Sequence, residues 1–103
     1  MSRSRLEVLT ELVEKNPKDS FARYGLAMEL AQQAEFDKAL EHFRTLLKSN
    51  PDYAAAYYQA GQLLKEIGQT EEARRLFQQG IEVTGRQGNF HAQSELRAAL
   101  EEL

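Results

Sequence analysis

Apolar residues recur at intervals of three and four along most of the chain, the spacing that lines one side of a helix. Leu6, Leu9, Leu12 and Val13 form the first such stripe, over about 3–15. Ala92, Leu96, Ala99, Leu100 and Leu103 form the last, over about 89–103, with Gln93, Glu95, Arg97, Glu101 and Glu102 mostly elsewhere. Punctuation divides what lies between. Asp19-Ser20 offers an N-cap for a helix reaching about Gln33, and a break follows at 34–36. A further helix over about 37–49 is stopped by Asn50-Pro51. The next rises at Tyr53 or Ala54 and runs to Ile67, where Gly68 can take the left-handed C-cap conformation. Thr70 is expected to cap the following helix, whose first turn carries Glu71 and Glu72. Gly80, Gly85 and Gly88 are expected to terminate it. The pattern predicts about six helices.

The chain also repeats itself. Asn16-Pro17 and Asn50-Pro51 stand 34 residues apart, each closing a Leu-rich stretch. Laying 20–53 on 54–87 pairs Ala22 with Ala56, Tyr24 with Tyr58, Leu30 with Leu64, Ala39 with Ala73 and Phe43 with Phe77. Small residues let helix axes approach, and a phenylalanine fills the space between hairpins. At the Gly68 position the first repeat has Ala34: either it takes positive φ at a cost on the order of 1 kcal/mol, or the first turn differs from the second.

Composition sharpens this picture. Ala, Leu, Glu, Gln, Lys and Arg dominate, Val and Ile are scarce, and only two Pro occur, so the class is all-α. One domain fits 103 residues. In its repeat the chain resembles the tetratricopeptide repeat, whose signature places aromatics, Leu-Gly, Ala, Phe and a closing Pro at fixed spacings. The second repeat supplies Tyr57, Ala60-Gly61, Leu64, Ala73 and Phe77; the first supplies Leu26-Ala27, Leu30, Ala39, Phe43 and Pro51. The sequence departs from the signature at Arg23, where the first large aromatic is usual, at Gly80 in place of Ala, and at Gly85 in place of the second Pro. The resemblance implies a right-handed α-solenoid of antiparallel hairpins in a small stand-alone protein. It would comprise a half-repeat helix at 3–16, repeats at 20–53 and 54–87, and a polar capping helix at 88–103.

Several chemistries find no support. There is no Cys, and the net charge of −3 removes the electrostatic case for nucleic acid or anionic membrane. No run of 18 apolar residues and no signal-peptide pattern occurs, so a cytoplasmic protein is the expectation. His42 and His91 read as partly solvated residues, and Asp37, Glu41 and His42 on one helix read as a solvated face rather than a metal site. No catalytic, cofactor or metal constellation emerges. The expected role is non-enzymatic.

The resemblance also locates a surface. First helices of successive repeats line a concave groove in this family, and the residues so placed are Phe21, Tyr24, Met28 and Gln32, then Ala55, Tyr58, Gln62 and Lys65, with Tyr53 between. Family members that hold acidic chaperone tails use a clamp of Lys, Asn and Arg, whose places here hold Tyr24, Met28 and Gln59. An aromatic and amide-lined wall suits a peptide or protein segment held by apolar contacts. The alternative is self-assembly through the terminal helices, motivated by the strip Leu96, Leu100 and Leu103. Across the two readings the chain is expected to be a monomer or a weak homo-oligomer.

Overall fold

A computed structural model describes residues 2–103. It holds six helices: α1 (Arg5–Lys15), α2 (Ser20–Gln32), α3 (Phe36–Ser49), α4 (Ala54–Glu66), α5 (Thr70–Gln87) and α6 (Phe90–Glu101). No strand occurs among the described residues. The chain divides at Asn50 and Pro51 into two compact units, the first carrying α1 to α3 and the second α4 to α6.

In the first unit α1 packs on α2 and α2 on α3. Ser4 caps α1 by accepting the Glu7 amide, and Asp19 caps α2 by accepting the Ala22 amide. The core gathers Val13, Leu26, Leu30, Leu40, Phe43 and Leu46 around the small residues Ala22, Ala27 and Ala39. Ala27 and Phe43, the first repeat's counterparts of Gly61 and Phe77, are almost completely buried. Asn50 closes the unit by donating from its Nδ2 to Ser20 Oγ at 3.2 Å.

The second unit repeats the plan and adds a helix. Gly61 meets Phe77 of α5 so closely that a Cβ at this position would overlap the ring. Thr70 is the first residue of α5 rather than its cap; Gln69 holds the cap position without a side-chain bond. Gly80 and Gly85 do not end α5 but lie inside it, and only Gly88, at φ +69, terminates the helix. The reason is packing. A Cβ on Gly80 would stand 2.7 Å from the Tyr57 Cβ and 3.0 Å from a Leu96 methyl, so α4 and α6 both press on α5 at this position. The buried Thr84 hydroxyl donates to the Gly80 carbonyl at 2.8 Å, which keeps the polar group satisfied.

Three helix ends share one turn. The amides of Glu35, Gln69 and Asn89 donate to the carbonyls of Leu30, Leu64 and Thr84, five residues back. Those of Ala34, Gly68 and Gly88 donate to Ala31, Lys65 and Gly85. This is the Schellman arrangement, which needs a left-handed residue at its centre. Glycine fills that place twice. Ala34 fills it once at φ +61, against the preference of a Cβ-bearing residue.

Two stability changes follow. Ala34→Gly should raise the unfolding free energy by about 0.5–1 kcal/mol, read as a higher urea midpoint at unchanged slope. Gly80→Ala should lower it by about 1–3 kcal/mol, because the Tyr57 Cβ is fixed to its helix and the buried Leu96 methyls cannot withdraw without opening the core.

Candidate functional site

Capping and packing leave one face of α2 turned away from the core, and the chain furnishes it with large side chains. Phe21 lies in the first turn and is 78% exposed. Tyr24, one turn on, is half-buried and sets its ring edge-on to Phe43, with centroids 6.2 Å apart and planes at 67°. Met28 is half-buried and Gln32 exposed. These four residues, all expected from the sequence, line one cavity of ≈ 320 Å³ with Arg5, Leu9, Gly25 and Glu29. Arg5 and Leu9 belong to α1, which sequence reasoning had not placed at the site. The usable signal was Gly25, a glycine in the middle of a helix: a Cβ there would stand 3.1 Å from a Leu9 methyl.

The second unit presents the equivalent face of α4. Tyr58 is half-buried, its ring centroid 6.4 Å from Phe77 at a tilt of 48°. It lines a cavity of ≈ 270 Å³ with Ala54, Ala55 and Gln59 of α4 and with Asn89, Ala92, Glu95 and Leu96. The C-terminal helix is thus a wall of this cavity. Gln62 and Lys65 stand further along α4, outside the lining, and Lys65 Nζ lies 3.4 Å from Glu102 Oε2. Tyr53 is half-buried at the position just before α4. The structure therefore gathers four of the nine expected residues in one cavity and puts two more, Ala55 and Tyr58, in a second.

A polar contact anchors each unit at the start of its first hairpin helix. Tyr57 donates its hydroxyl to the Pro51 carbonyl at 2.6 Å, and burial pushes the phenol above its usual range, with Asp52 adding to the rise. Arg23 stands where the first repeat lacks that aromatic. Its Nη2 donates to the Pro17 carbonyl at 3.1 Å, so the guanidinium makes the contact that the phenol makes in the second repeat. Its other terminal nitrogen, Nη1, lies 3.0 Å from His42 Nδ1. Burial first, and then the adjacent guanidinium, hold His42 below the usual histidine range, against a smaller opposing effect from Glu41. Arg23 donates only to a neutral ring. Stability from this pair is therefore complete above the ordinary value of 6.5 and is lost as pH falls below it, where the unfolded chain binds the proton first. His42→Gln should flatten the fall in urea midpoint between about pH 7 and 5 relative to the parent.

These surfaces offer apolar contact, aromatic edges and amide hydrogen bonding, on a backbone of helical hairpins. A tetratricopeptide repeat family model matches residues 30–100. The chain belongs to the tetratricopeptide repeat family. A tetratricopeptide repeat-containing protein of Pseudomonas aeruginosa is 24% identical over 98 residues, which cover 95% of this chain and 93% of that one. A tetratricopeptide repeat domain protein of Salinibacter ruber is 36% identical, with a TM-score of 0.80 over 84% of this chain and 88% of that one. YrrB, described as a tetratricopeptide repeat protein with an unusual peptide-binding site, is 26% identical with a TM-score of 0.81. That likeness covers 95% of this chain and 47% of YrrB. The all-α, hairpin-repeat class read from the sequence stands, and with it the resemblance that named the family. No helix among the described residues is long and apolar enough to cross a membrane.

Proposed function

We propose that this tetratricopeptide repeat chain is a non-enzymatic, cytoplasmic interaction module that holds a peptide or protein segment against the exposed faces of α2 and α4. Its two repeats are 20–53 and 54–87, flanked by the half-repeat helix at 3–16 and the capping helix at 88–103. One observation carries the reading: equivalent tyrosines, Tyr24 and Tyr58, each stand half-exposed at a cavity of their own unit. An aromatic ring backed by a buried phenylalanine is a rigid anchor, because little rotamer freedom is left to lose on binding. Phe21 and Met28 supply adaptable apolar contact, and Gln32, Gln59 and Gln62 supply hydrogen bonds to an extended or helical backbone. The peptide-binding site described for YrrB adds support from a relative. With Tyr24, Met28 and Gln59 at the places of the chaperone-tail clamp, an acidic carboxyl-terminal tail is not the expected ligand.

Replacing Tyr24 and Tyr58 together by Ala should weaken a specific partner by roughly ten- to a hundredfold while far-ultraviolet dichroism stays within a few per cent of the parent. Calorimetric titration of each captured partner measures this. Undiminished affinity for every partner in the double variant excludes the tyrosine faces as the binding surface.

A further inference from the structure

The described chain leaves four large hydrophobic side chains exposed, and they fall in two places. Val8 and Leu12 lie on α1 and Phe21 lines the groove between α1 and α2, while Phe90 stands alone on α6. The groove has a definite shape. By the 34-residue period α1 matches α3 and α5, the second helices of their hairpins, so its open side is where a first helix would lie. Leu12 is 47% exposed, whereas Leu46, its equivalent in α3, is completely buried. Helix α6 is the complementary piece. It matches α2 and α4: Asn89, like Asp19, caps its helix, and Ala92, Leu96 and Leu100 repeat Ala22, Leu26 and Leu30. Yet among the described residues no second helix follows α6 to complete a hairpin with it.

We propose that α6 of a second copy lies in the α1–α2 groove, alongside α2 and in the same sense. The inference rests on reading the exposed face of α2 as a binding surface and names what fills the α1 side of it. Phe90, Arg97 and Glu101 are spaced by seven and four residues, which puts them on one stripe of α6. All three are exposed. The groove carries Phe21, Glu29 and Arg5 in matching order. Phe21 to Glu29 spans about 12 Å along α2, and Phe90 to Arg97 about 10 Å along α6, a difference that an arginine side chain covers. Arg5, in the first turn of α1, lies beside the last turn of α2, where Gln32 shares its cavity. That level is about 16 Å from Phe21, and Glu101 is about 16 Å from Phe90. Aromatic then meets aromatic, Arg97 meets Glu29, and Glu101 meets Arg5.

Complementarity also decides the direction and the symmetry. Reversed, α6 would set Glu101 against Phe21 and leave Arg5 facing Phe90. A two-fold pairing of α1 with its own copy would set Arg5 against Lys15 on the stripe that carries Val8 and Leu12. The remaining arrangement joins two different surfaces, the α6 of one copy and the α1–α2 groove of another. One helix is a small interface, so the contact is weak and salt-sensitive.

Sedimentation velocity of the full chain at low salt tests this, over concentrations from about 10 μM to 1 mM. The expected result is a weight-average mass that rises above the monomer with concentration. Arg5→Glu and Glu101→Arg should each shift the midpoint to roughly five- to tenfold higher concentration, since each sets like charges together. An equimolar mixture of the two variants should restore association, because each then meets an opposite charge. Both substituted residues are exposed, and unchanged dichroism verifies the fold. A monomer throughout, or a mixture no more associated than its components, overturns the proposal. A monomeric parent whose partner binding is still lost in the Tyr24→Ala, Tyr58→Ala variant leaves the interaction module standing and removes only the second copy.

Discussion

Each hairpin depends on a phenylalanine ring seated where its neighbouring helix has almost no side chain. Phe43 is buried with Ala27, and Phe77 lies against the bare backbone of Gly61. Burying such a ring contributes about 2–3 kcal/mol, and the close approach adds dispersion contacts from the whole helix surface. The same closeness removes freedom elsewhere. It sets how far each first helix stands from its second, which residues of α2 and α4 turn outward, and so which tyrosine edge is left at the surface. Tyr24 and Tyr58 stand at the rim of the site because their inner edges rest on those two phenylalanines.

A second constraint acts on the polar backbone. The Asn-Pro steps end a helix and leave a proline carbonyl pointing back toward the start of the next. Tyr57 meets it with a phenol and Arg23 with a guanidinium. Both donors reach the same backbone group with little loss of apolar cover, since the arginine stem can lie along the helix as the aromatic ring does. The substitution has a consequence for its surroundings. A cation needs a neutral or anionic neighbour, and His42 supplies a lone pair where the second repeat has Leu76. One departure from the family signature thus carries a pH dependence that the other repeat lacks.

Much of this was legible from one-dimensional information, and the exceptions have physical causes. Helix spacing, the Asp19 cap, the Gly68 turn and the paired Ala and Phe positions follow from local geometry and a 34-residue period, which neighbours in the fold do not alter. Gly80 and Gly85 read as helix ends because glycine is a poor helix former. They are helix interiors because Tyr57, Leu96 and Gln93 approach from other helices, and the room they need outweighs local preference. Ala34 left two readings open, and the backbone took the strained one, held by the Glu35 amide on the Leu30 carbonyl. Of the surface residues, Phe21, Tyr24, Met28 and Gln32 were found by helical spacing together with the family resemblance. Arg5, Leu9 and Glu95 were not, since each comes to its cavity from a flanking helix.

The sequence by itself determined the helices, the Asp19 cap, the Gly68 turn, the period and the family, because these rest on interactions between residues a few positions apart or on a pattern repeated along the chain. It also excluded cysteine chemistry, since the chain has no cysteine. The tertiary structure decided what the period could not. It closed α1 over Gly25 and brought α6 beside Tyr58, which turned two flat helix faces into cavities. It also left Val8, Leu12 and Phe21 uncovered together. Those outcomes depend on which helices touch, and touching is settled by the fit of side-chain volumes across helices, a quantity that no spacing along the chain records.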